Sequence, residues 1–374
     1  MNTDFLETST LETVLIKITQ MAEGSDVAEA PPREEISLLR NAGLLEITLP
    51  GEPLDFLAGN TSKLLDVLKA VGKSNLSIGR IYEGHVNAIY LIHLFASHEQ
   101  KSHWYEQVKM NQALFGVWNT EAAKGITLNS ENQSIRVSGQ KTFCSGAALV
   151  THGLITGAIE TESRKGWQML IVEMDKIPAV NIDTSSWKTL GMRASGSFTV
   201  DFSSYIAKEN DLLGEPEDYL KQPYFNGGAI RFAAVQLGGI EAIAKQTLDY
   251  LSMLNRTSDP IQNMRVSTIM VAVNSGRMWI KQAGNNFDDW VEQPDKSADL
   301  IAFANMTRTA IEEIGTLVMK ESNQCIGARG LMYPHPFERF YRDLSFYLRQ
   351  PAPDSTRLNV AAYYFDKNKK FGDV

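Results

Sequence analysis

The spacing of apolar residues changes twice along this chain, and this double change constrains the fold more than any other feature of the sequence. Up to about residue 110 the apolar side chains recur at helical spacing. Strand-like alternation dominates from about residue 114 to 205, and helical spacing returns from about residue 218. We therefore predict a multidomain α and β protein with an N-terminal all-α domain, a middle β domain of barrel or sandwich type, and a C-terminal helical bundle, over residues 1–113, 114–213 and 214–374.

The C-terminal part contains four long segments with helical spacing. They cover residues 224–255, 260–292, 296–324 and 355–368. Gln293-Pro294 separates the middle two segments, and such short connectors favour antiparallel neighbours. The pattern predicts a four-helix bundle.

Composition argues against several classes of partner. Thirty-six basic and 44 acidic residues give a net charge of −8, so the chain as a whole does not attract nucleic acid or an anionic membrane. Only two cysteines occur, Cys144 and Cys325, which excludes a disulfide framework and favours a reducing compartment. The acidic start does not suit a signal peptide, and no apolar run is long enough for a transmembrane helix. We predict a cytoplasmic protein that acts on a small molecule.

Several motifs that carry chemistry are absent. The chain has no G-x-G-x-x-G after a strand, no P-loop, no H-E-x-x-H and no G-x-S-x-G. Its six histidines show no metal-ligand spacing. We predict no metal site and no nicotinamide-binding domain of the Rossmann type.

Three segments occur in an order that is typical of one family. The first is FGVWNTE at 115–121, and the second is SGQKTFCSGA at 138–147, followed by WKTLGMRASGS at 187–197. The third is QCIGARGLMYPHPFERFYRD at 324–343. Together they resemble the acyl-CoA dehydrogenase superfamily. The resemblance covers nearly the whole chain, since the order of helical, β and helical parts is the architecture of that family.

The resemblance implies that FAD binds between the β domain and the four-helix bundle. It also implies a homo-oligomer, a dimer or tetramer, in which a neighbouring subunit completes each FAD site. Trp118, Asn119 and Thr120 match the stretch that lines the isoalloxazine ring. Phe143 matches the aromatic position beside the ring, and Ser145 matches the hydroxyl position near flavin N5. Such a ring requires a few fixed polar groups in an otherwise dry slot.

Further matches concern the phosphate and adenosine parts of FAD. Arg256 follows Arg231 by 25 residues, as in the family, and would reach the pyrophosphate of a neighbouring subunit. A planar guanidinium group suits this role because it binds phosphate through two hydrogen bonds. Gln324 and Gly327 match the segment that contacts the adenosine half. Arg265 replaces the customary Gln and offers another phosphate contact.

The catalytic base of the family is missing. Most members have a Glu nine residues after the Arg of the Arg342-Asp343 pair, where this chain has Pro351. Other members have their base beside the first spaced arginine, where this chain has Ile230. Asp354 is the nearest carboxylate and a candidate base. Alternatively, Asp354 is the N-cap of a helix that begins at Ser355.

His85 is a second candidate catalytic residue. The superfamily also contains flavin monooxygenases, which use reduced flavin and O₂ and require no carboxylate base. The stretch from Ser77 to His85 resembles the setting of a histidine that faces the flavin in those enzymes. A histidine there could deprotonate a substrate near neutral pH. The alternative is a buried structural histidine that bonds a helix carbonyl.

Three functions therefore remain open. The first is an FAD-dependent oxidoreductase of the acyl-CoA dehydrogenase type, acting on the CH–CH bond of an acyl group on CoA or another carrier, or of a related small molecule. The second is a monooxygenase of the two-component type on the same fold. The third is a non-catalytic protein that binds flavin or an acyl group. The sequence does not indicate the electron acceptor.

Overall fold

Five helices form the N-terminal part of the computed structural model, which describes residues 8–131 and 134–366. They are α1 (Thr8–Ala28), α2 (Arg33–Asn41), α3 (Thr61–Ser74), α4 (Leu76–Phe95) and α5 (His98–Asn111). The side chain of Asn75 accepts a hydrogen bond of 2.9 Å from the Ser77 N–H and so caps α4 directly after α3 ends. Helix α4 is buried along almost its whole length, and none of the described helices combines the length and apolar character needed to cross a bilayer.

Ten strands follow. They are β1 (Phe115–Trp118), β2 (Thr127–Glu131), β3 (Ser134–Ser138), β4 (Gln140–Cys144), β5 (His152–Glu160), β6 (Lys165–Glu173), β7 (Ile182–Asp183), β8 (Phe198–Asp201), β9 (Ile206–Ala207) and β10 (Leu212–Leu213). Seven of them form one mixed sheet in the order β10-β6-β5-β2-β3-β9, with β1 parallel to β5. The other three form a small sheet in the order β4-β8-β7. The predicted middle β region is confirmed, as two adjoining sheets.

The C-terminal part is helical again. Its helices are α6 (Tyr224–Gly227), α7 (Ile230–Met253), α8 (Pro260–Trp290), α9 (Ser297–Ile326), α10 (Pro336–Tyr347) and α11 (Pro353–Phe365). Three long helices, α7 to α9, pack together, α11 packs on α9, and α10 packs on α7. The predicted bundle is confirmed, but the prediction omitted α10. The last two residues of the predicted fourth helix, 367–368, lie outside the described residues.

Helices α3 and α7 approach each other very closely. A Cβ on Gly238 would lie 2.1 Å from the carbonyl oxygen of Lys69, and one on Gly72 would lie 2.4 Å from the carbonyl oxygen of Val235. Only glycine permits this contact between backbones. It fixes the bundle against the N-terminal helices and brings the start of α7 beside α4, where the main cavity opens.

Candidate active site

A cavity of about 600 Å³ lies between α4, the end of β1, the start of α7 and the loop after α10. This volume is in the range of small-molecule sites in proteins. Its described lining residues are Arg80, Glu83, Asn87, Val117, Trp118, Asn119, Thr120, Phe143, Ser145, Tyr219, Leu220, Phe225, Asn226, Gly228, Ala229, Phe232, Arg308, Arg349, Gln350, Pro351 and Ala352. Six segments that are separate in the sequence therefore meet around one space.

One wall contains five of the residues that the sequence predicts for the cofactor: Trp118, Asn119, Thr120, Phe143 and Ser145. The indole Nε1 of Trp118 donates a hydrogen bond of 3.2 Å to the carbonyl oxygen of Ser145. This bond joins the end of β1 to the residues that follow β4. The structure thus brings both halves of the predicted flavin wall together.

Phe143 has an unusual backbone conformation on this wall. Its φ is +55°, and the pairing register of β4 with β8 shifts between Lys141 and Cys144. A bulky side chain in the left-handed region costs of the order of 1 kcal/mol or more. Phe143 is 42% exposed and lines the cavity, and its ring is edge-on to the ring of Trp187. Strained residues that face a cavity often belong to functional sites.

Lys141 holds the same wall in place through hydrogen bonds to Asn119 and Glu121. Its ammonium group is fully buried and donates hydrogen bonds to the Asn119 carbonyl oxygen at 3.0 Å and to Oε1 of Glu121 at 2.6 Å. It also lies 5.0 Å from the ring centroid of Trp167. Burial lowers the pKa of Lys141, against the opposing effect of Glu121. Nothing in the sequence motifs indicates this role for Lys141.

A buried polar network forms another side of the cavity, on α4. Arg80 Nη1 pairs with Glu83 Oε2 at 2.6 Å, and Asn87 Nδ2 donates a short hydrogen bond to Glu83 Oε1. Arg231 Nε donates to Asn87 Oδ1 at 2.6 Å and thereby ties α7 to this network. Of these four residues, only Arg231 belongs to a motif of the resemblance. Polar residues three and four positions apart in an otherwise apolar helix were the signal for the other three.

His85 is on α4 as well, but it does not line the cavity. Its Nε2 donates a hydrogen bond of 2.8 Å to the Leu45 carbonyl oxygen, and its Nδ1 accepts one of 3.1 Å from the Phe115 N–H. Burial lowers the pKa of His85 to about 4, against a smaller opposing effect of the bond to Leu45. Both ring nitrogens are occupied by backbone groups, so the geometry favours the structural interpretation of this histidine.

Asp354 also lies outside the cavity. Its side chain is 87% exposed and stands 3.9 Å from Arg349 Nη2. The capping interpretation is wrong, because the N-cap of α11 is Ala352 and Pro353 is the first residue of the helix. Asp354 is instead in the first turn of α11, where its negative charge interacts favourably with the helix dipole. Pro351, at the position of the family's Glu, does line the cavity.

The remaining predicted cofactor residues gather elsewhere. Arg265 Nη1 donates a hydrogen bond of 3.2 Å to the Gln324 carbonyl oxygen, and Gly327 ends α9 just beyond it. Arg256 is exposed and pairs with Asp259 at 3.4 Å. Gln324 lies sixteen residues after Arg308, a cavity residue on the same helix α9. The two residues are therefore about 24 Å apart along the helix axis. These four residues do not line the cavity.

The two later motif segments contact each other. The Met192 N–H donates a hydrogen bond of 2.6 Å to Asp343 Oδ1, and Arg342 Nη1 donates one of 3.0 Å to the Leu190 carbonyl oxygen. Burial raises the pKa of Asp343 to about 6, against the opposing effect of Arg339. The loop that carries Trp187 is therefore held against α10, beside the cavity wall.

Comparison with known proteins agrees with this arrangement. A family profile described as "Acyl-CoA dehydrogenase, C-terminal domain" matches residues 219–348. Putative acyl-CoA dehydrogenase YdbM of Bacillus subtilis (strain 168) is 24% identical over 92% of each chain. The chain belongs to the acyl-CoA dehydrogenase superfamily. Residue 351, where the resemblance implies the catalytic Glu of the family, is a proline.

Two further proteins are similar over most of their length. Probable FMNH2-dependent monooxygenase SfnC of Pseudomonas putida is 23% identical over 88% of this chain and 87% of its own. The structure of TdsC from Paenibacillus sp. A11-2 with FMN and indole superposes with a TM-score of 0.85 over 96% of each chain, at 18% identity. The latter similarity shows the shared fold. Among the described residues, no group of three His, Cys, Asp or Glu side chains is placed to hold a metal ion.

Proposed function

We propose that this protein is a flavin-dependent monooxygenase that uses reduced flavin and O₂ to oxidise a small molecule. The main observation behind this proposal is that no free carboxylate lines the cavity among the described residues. Glu83 is the one carboxylate among the described lining residues, and its two oxygens are already bonded to Arg80 and Asn87. Removal of an α-proton from an acyl thioester requires a free base. Pro351 occupies the place where the resemblance implies that base.

The similar proteins support the same choice. SfnC is named as an FMNH2-dependent monooxygenase, and TdsC was solved with FMN and indole. The similarity to YdbM, a putative acyl-CoA dehydrogenase, supports dehydrogenation as the second candidate. Asp354 is 87% exposed and does not line the cavity, so it does not strengthen that candidate.

The wall from Trp118 to Ser145 fits a flat aromatic ring. Phe143 offers a ring face, and Asn119 and Thr120 offer polar groups at an exposed edge of the β domain. Lys141 positions the segment by holding the Asn119 carbonyl. A bound reduced flavin would supply the electrons that activate O₂. The aromatic side of the cavity would hold the organic substrate and exclude water.

We propose FMN rather than FAD as this flavin. The cavity of about 600 Å³ must hold both the ring and a substrate, and Arg256, Arg265, Gln324 and Gly327 are distant from it. FAD binding would require those residues from a second copy of the chain. Chromatographic identification of the bound flavin, with affinities for FMN and FAD measured side by side, tests this choice. A clear preference for FAD would contradict it.

We also propose a homo-oligomer. Met264, Val271 and Met278 recur every seven residues on α8, and each is about two-thirds exposed. A regular apolar stripe of this kind is typical of a surface that another chain covers.

One pair of assays tests the function. The protein receives FMN, NADH and a flavin reductase under ¹⁸O₂, with a panel of aromatic and organosulfur compounds, and mass spectrometry follows incorporation of one labelled oxygen atom. In parallel, acyl-CoA thioesters of several lengths are added to the flavin-loaded protein without O₂. Labelled product supports oxygenation. Flavin bleaching by a thioester, with no labelled product from the panel, would replace the proposal with dehydrogenation. Flavin binding without either reaction would favour a non-catalytic protein.

A further inference from the structure

The cavity contains more positive than negative side chains. Arg80, Arg308 and Arg349 line it, and the one described lining carboxylate is Glu83. Glu83 is paired with Arg80, and Arg349 is paired with Glu312 from outside the lining, so Arg308 carries the one charge of these three arginines that no described carboxylate pairs. The whole chain has a net charge of −8, and this local excess is therefore opposite in sign to the protein. A cavity of this kind attracts anions.

Arg308 contributes most to this excess. Its Nη2 donates a hydrogen bond of 2.6 Å to the Pro351 carbonyl oxygen, and the described chain places no carboxylate within 4.0 Å of its guanidinium. Glu312, one turn further on α9, instead pairs with Arg349 at 2.6 Å and with Arg357 at 3.1 Å. One carboxylate is thus shared between two other arginines. The guanidinium of Arg308 keeps its charge and several donors for a ligand.

Gln350 supplies a second donor at the same end of the cavity. Its side-chain Nε2 is buried and has no hydrogen-bond partner. Arg308 and Gln350 line the cavity together, and both also border a narrow void behind the loop. A buried donor without a partner costs about 1–3 kcal/mol, so such a group is normally satisfied by a ligand or by water. A guanidinium charge without a paired carboxylate and an amide donor without a partner, on the lining of the same cavity, suit an oxygen anion.

The rest of the cavity is different in character. Tyr219, Phe225 and Phe232 also line it. These rings suit a flat or branched apolar body. The lining therefore offers partners to both parts of an amphipathic molecule.

We propose that Arg308, Gln350 and Arg349 form a subsite for the oxyanion head group of the substrate, a carboxylate, sulfinate or sulfonate on an aromatic or aliphatic body. The inference rests on the proposed function for the reaction, but the subsite itself is a binding property. The head group accepts hydrogen bonds from the guanidinium groups and the amide while the apolar body extends toward Phe143.

Binding to the flavin-loaded protein tests the subsite without any turnover. Calorimetry compares benzoate and benzenesulfinate with the neutral benzamide. In the natural chain both anions should bind at least tenfold more tightly than benzamide, as expected for a charge-assisted hydrogen bond. Arg308→Gln keeps a donor for the Pro351 carbonyl and removes the charge, so it should abolish this preference. Arg357→Gln is the matched control, because Arg357 pairs with Glu312 and Glu313 and does not line the cavity.

Two results would overturn the subsite. One is equal affinity for benzoate and benzamide in the natural chain, or an anion preference that survives Arg308→Gln. The other is weaker binding of FMN with unchanged binding of riboflavin in Arg308→Gln, since the arginine would then hold the flavin phosphate. Circular dichroism checks that Arg308→Gln is folded. If Arg308→Gln does not fold, Arg308→Lys is tested instead; it keeps the positive charge and should therefore retain part of the preference for anions. Anion binding that depends on Arg308 without any labelled product would retain the subsite and reject the monooxygenase.

Discussion

The carbonyl oxygen of Pro351 accepts a hydrogen bond of 2.6 Å from Nη2 of Arg308. This bond ties the loop between α10 and α11 to the middle of α9. The loop therefore presents a proline ring and a backbone carbonyl where the related dehydrogenases are expected to present a carboxylate. The chemistry of the cavity depends on this substitution.

We expect Asp354→Asn to change turnover by less than about threefold, because the carboxylate is exposed and does not line the cavity. Steady-state rates with the substrate found by isotope labelling measure the effect. A loss of several orders of magnitude in a folded variant would identify Asp354 as a base after all. Glu83→Gln is the contrasting variant, since it removes the buried carboxylate that pairs with the partly buried Arg80 and should cost about 3 kcal/mol of stability.

Substitution of Phe143 should weaken flavin binding. Phe143→Leu keeps an apolar side chain but removes the ring face, and we expect a loss of affinity of about tenfold. Phe143→Trp, the aromatic residue more usual in the family, should retain binding. Fluorescence titration with FMN measures both. Equal affinities for the leucine and tryptophan variants would remove Phe143 from the flavin wall.

Loss of the buried ammonium group of Lys141 should disturb the position of Asn119 in the flavin wall. In Lys141→Met the Asn119 carbonyl and Glu121 lose their donor, so we expect a destabilisation of about 2 kcal/mol and weaker flavin binding. Lys165→Met is the matched control in the same β region, because Lys165 forms an exposed pair with Glu160 that contributes little. Denaturant unfolding with and without FMN compares them. Similar losses in the two variants would contradict the positioning role.

The stability of the protein should fall as the pH decreases from about 6.5 to 4. Burial lowers the pKa of His85 to about 4 in the folded state, whereas a histidine in the unfolded chain has a pKa of about 6.5. The unfolded state therefore binds more protons in this window, and the free energy of unfolding is greatest above it.

His85→Gln isolates the contribution of this one histidine, because His152, whose pKa burial also lowers to about 4, remains in the variant. The natural chain should lose about 2 kcal/mol more than the variant between pH 7.5 and pH 5. Urea unfolding at the two values measures the difference. Parallel behaviour of the two proteins would show that His85 is not held neutral.

Disruption of the apolar stripe on α8 should change the oligomeric state. Val271→Glu places a charge at the centre of the stripe, and we expect a shift to smaller species in light scattering after size-exclusion chromatography. Val180→Glu is the control, because Val180 is exposed but lies in the β region, away from α8. A monomer before substitution, or an unchanged oligomer afterwards, would assign the interface elsewhere.

Sequence patterns were sufficient for the order of helical, β and helical parts, because each part has its own local spacing of apolar residues. They also predicted a flavin wall of two short segments, and the structure places its five residues on the lining of one cavity: Trp118, Asn119, Thr120, Phe143 and Ser145. The family, too, followed from motif order. The short helix α10 was missed, although the spacing of its buried residues is helical.

Tertiary structure decided which of the candidate polar groups face the cavity. Glu83 and His85 are two positions apart on α4, so they point to opposite sides of the helix, and the packing of α4 turned Glu83 inward and His85 toward Leu45. Asp354 was kept outside because α11 begins at Pro353. Arg308 was added to the site from the middle of a long helix, more than forty residues from the loop that it holds. Such relationships depend on the packing of distant elements, which local spacing does not record.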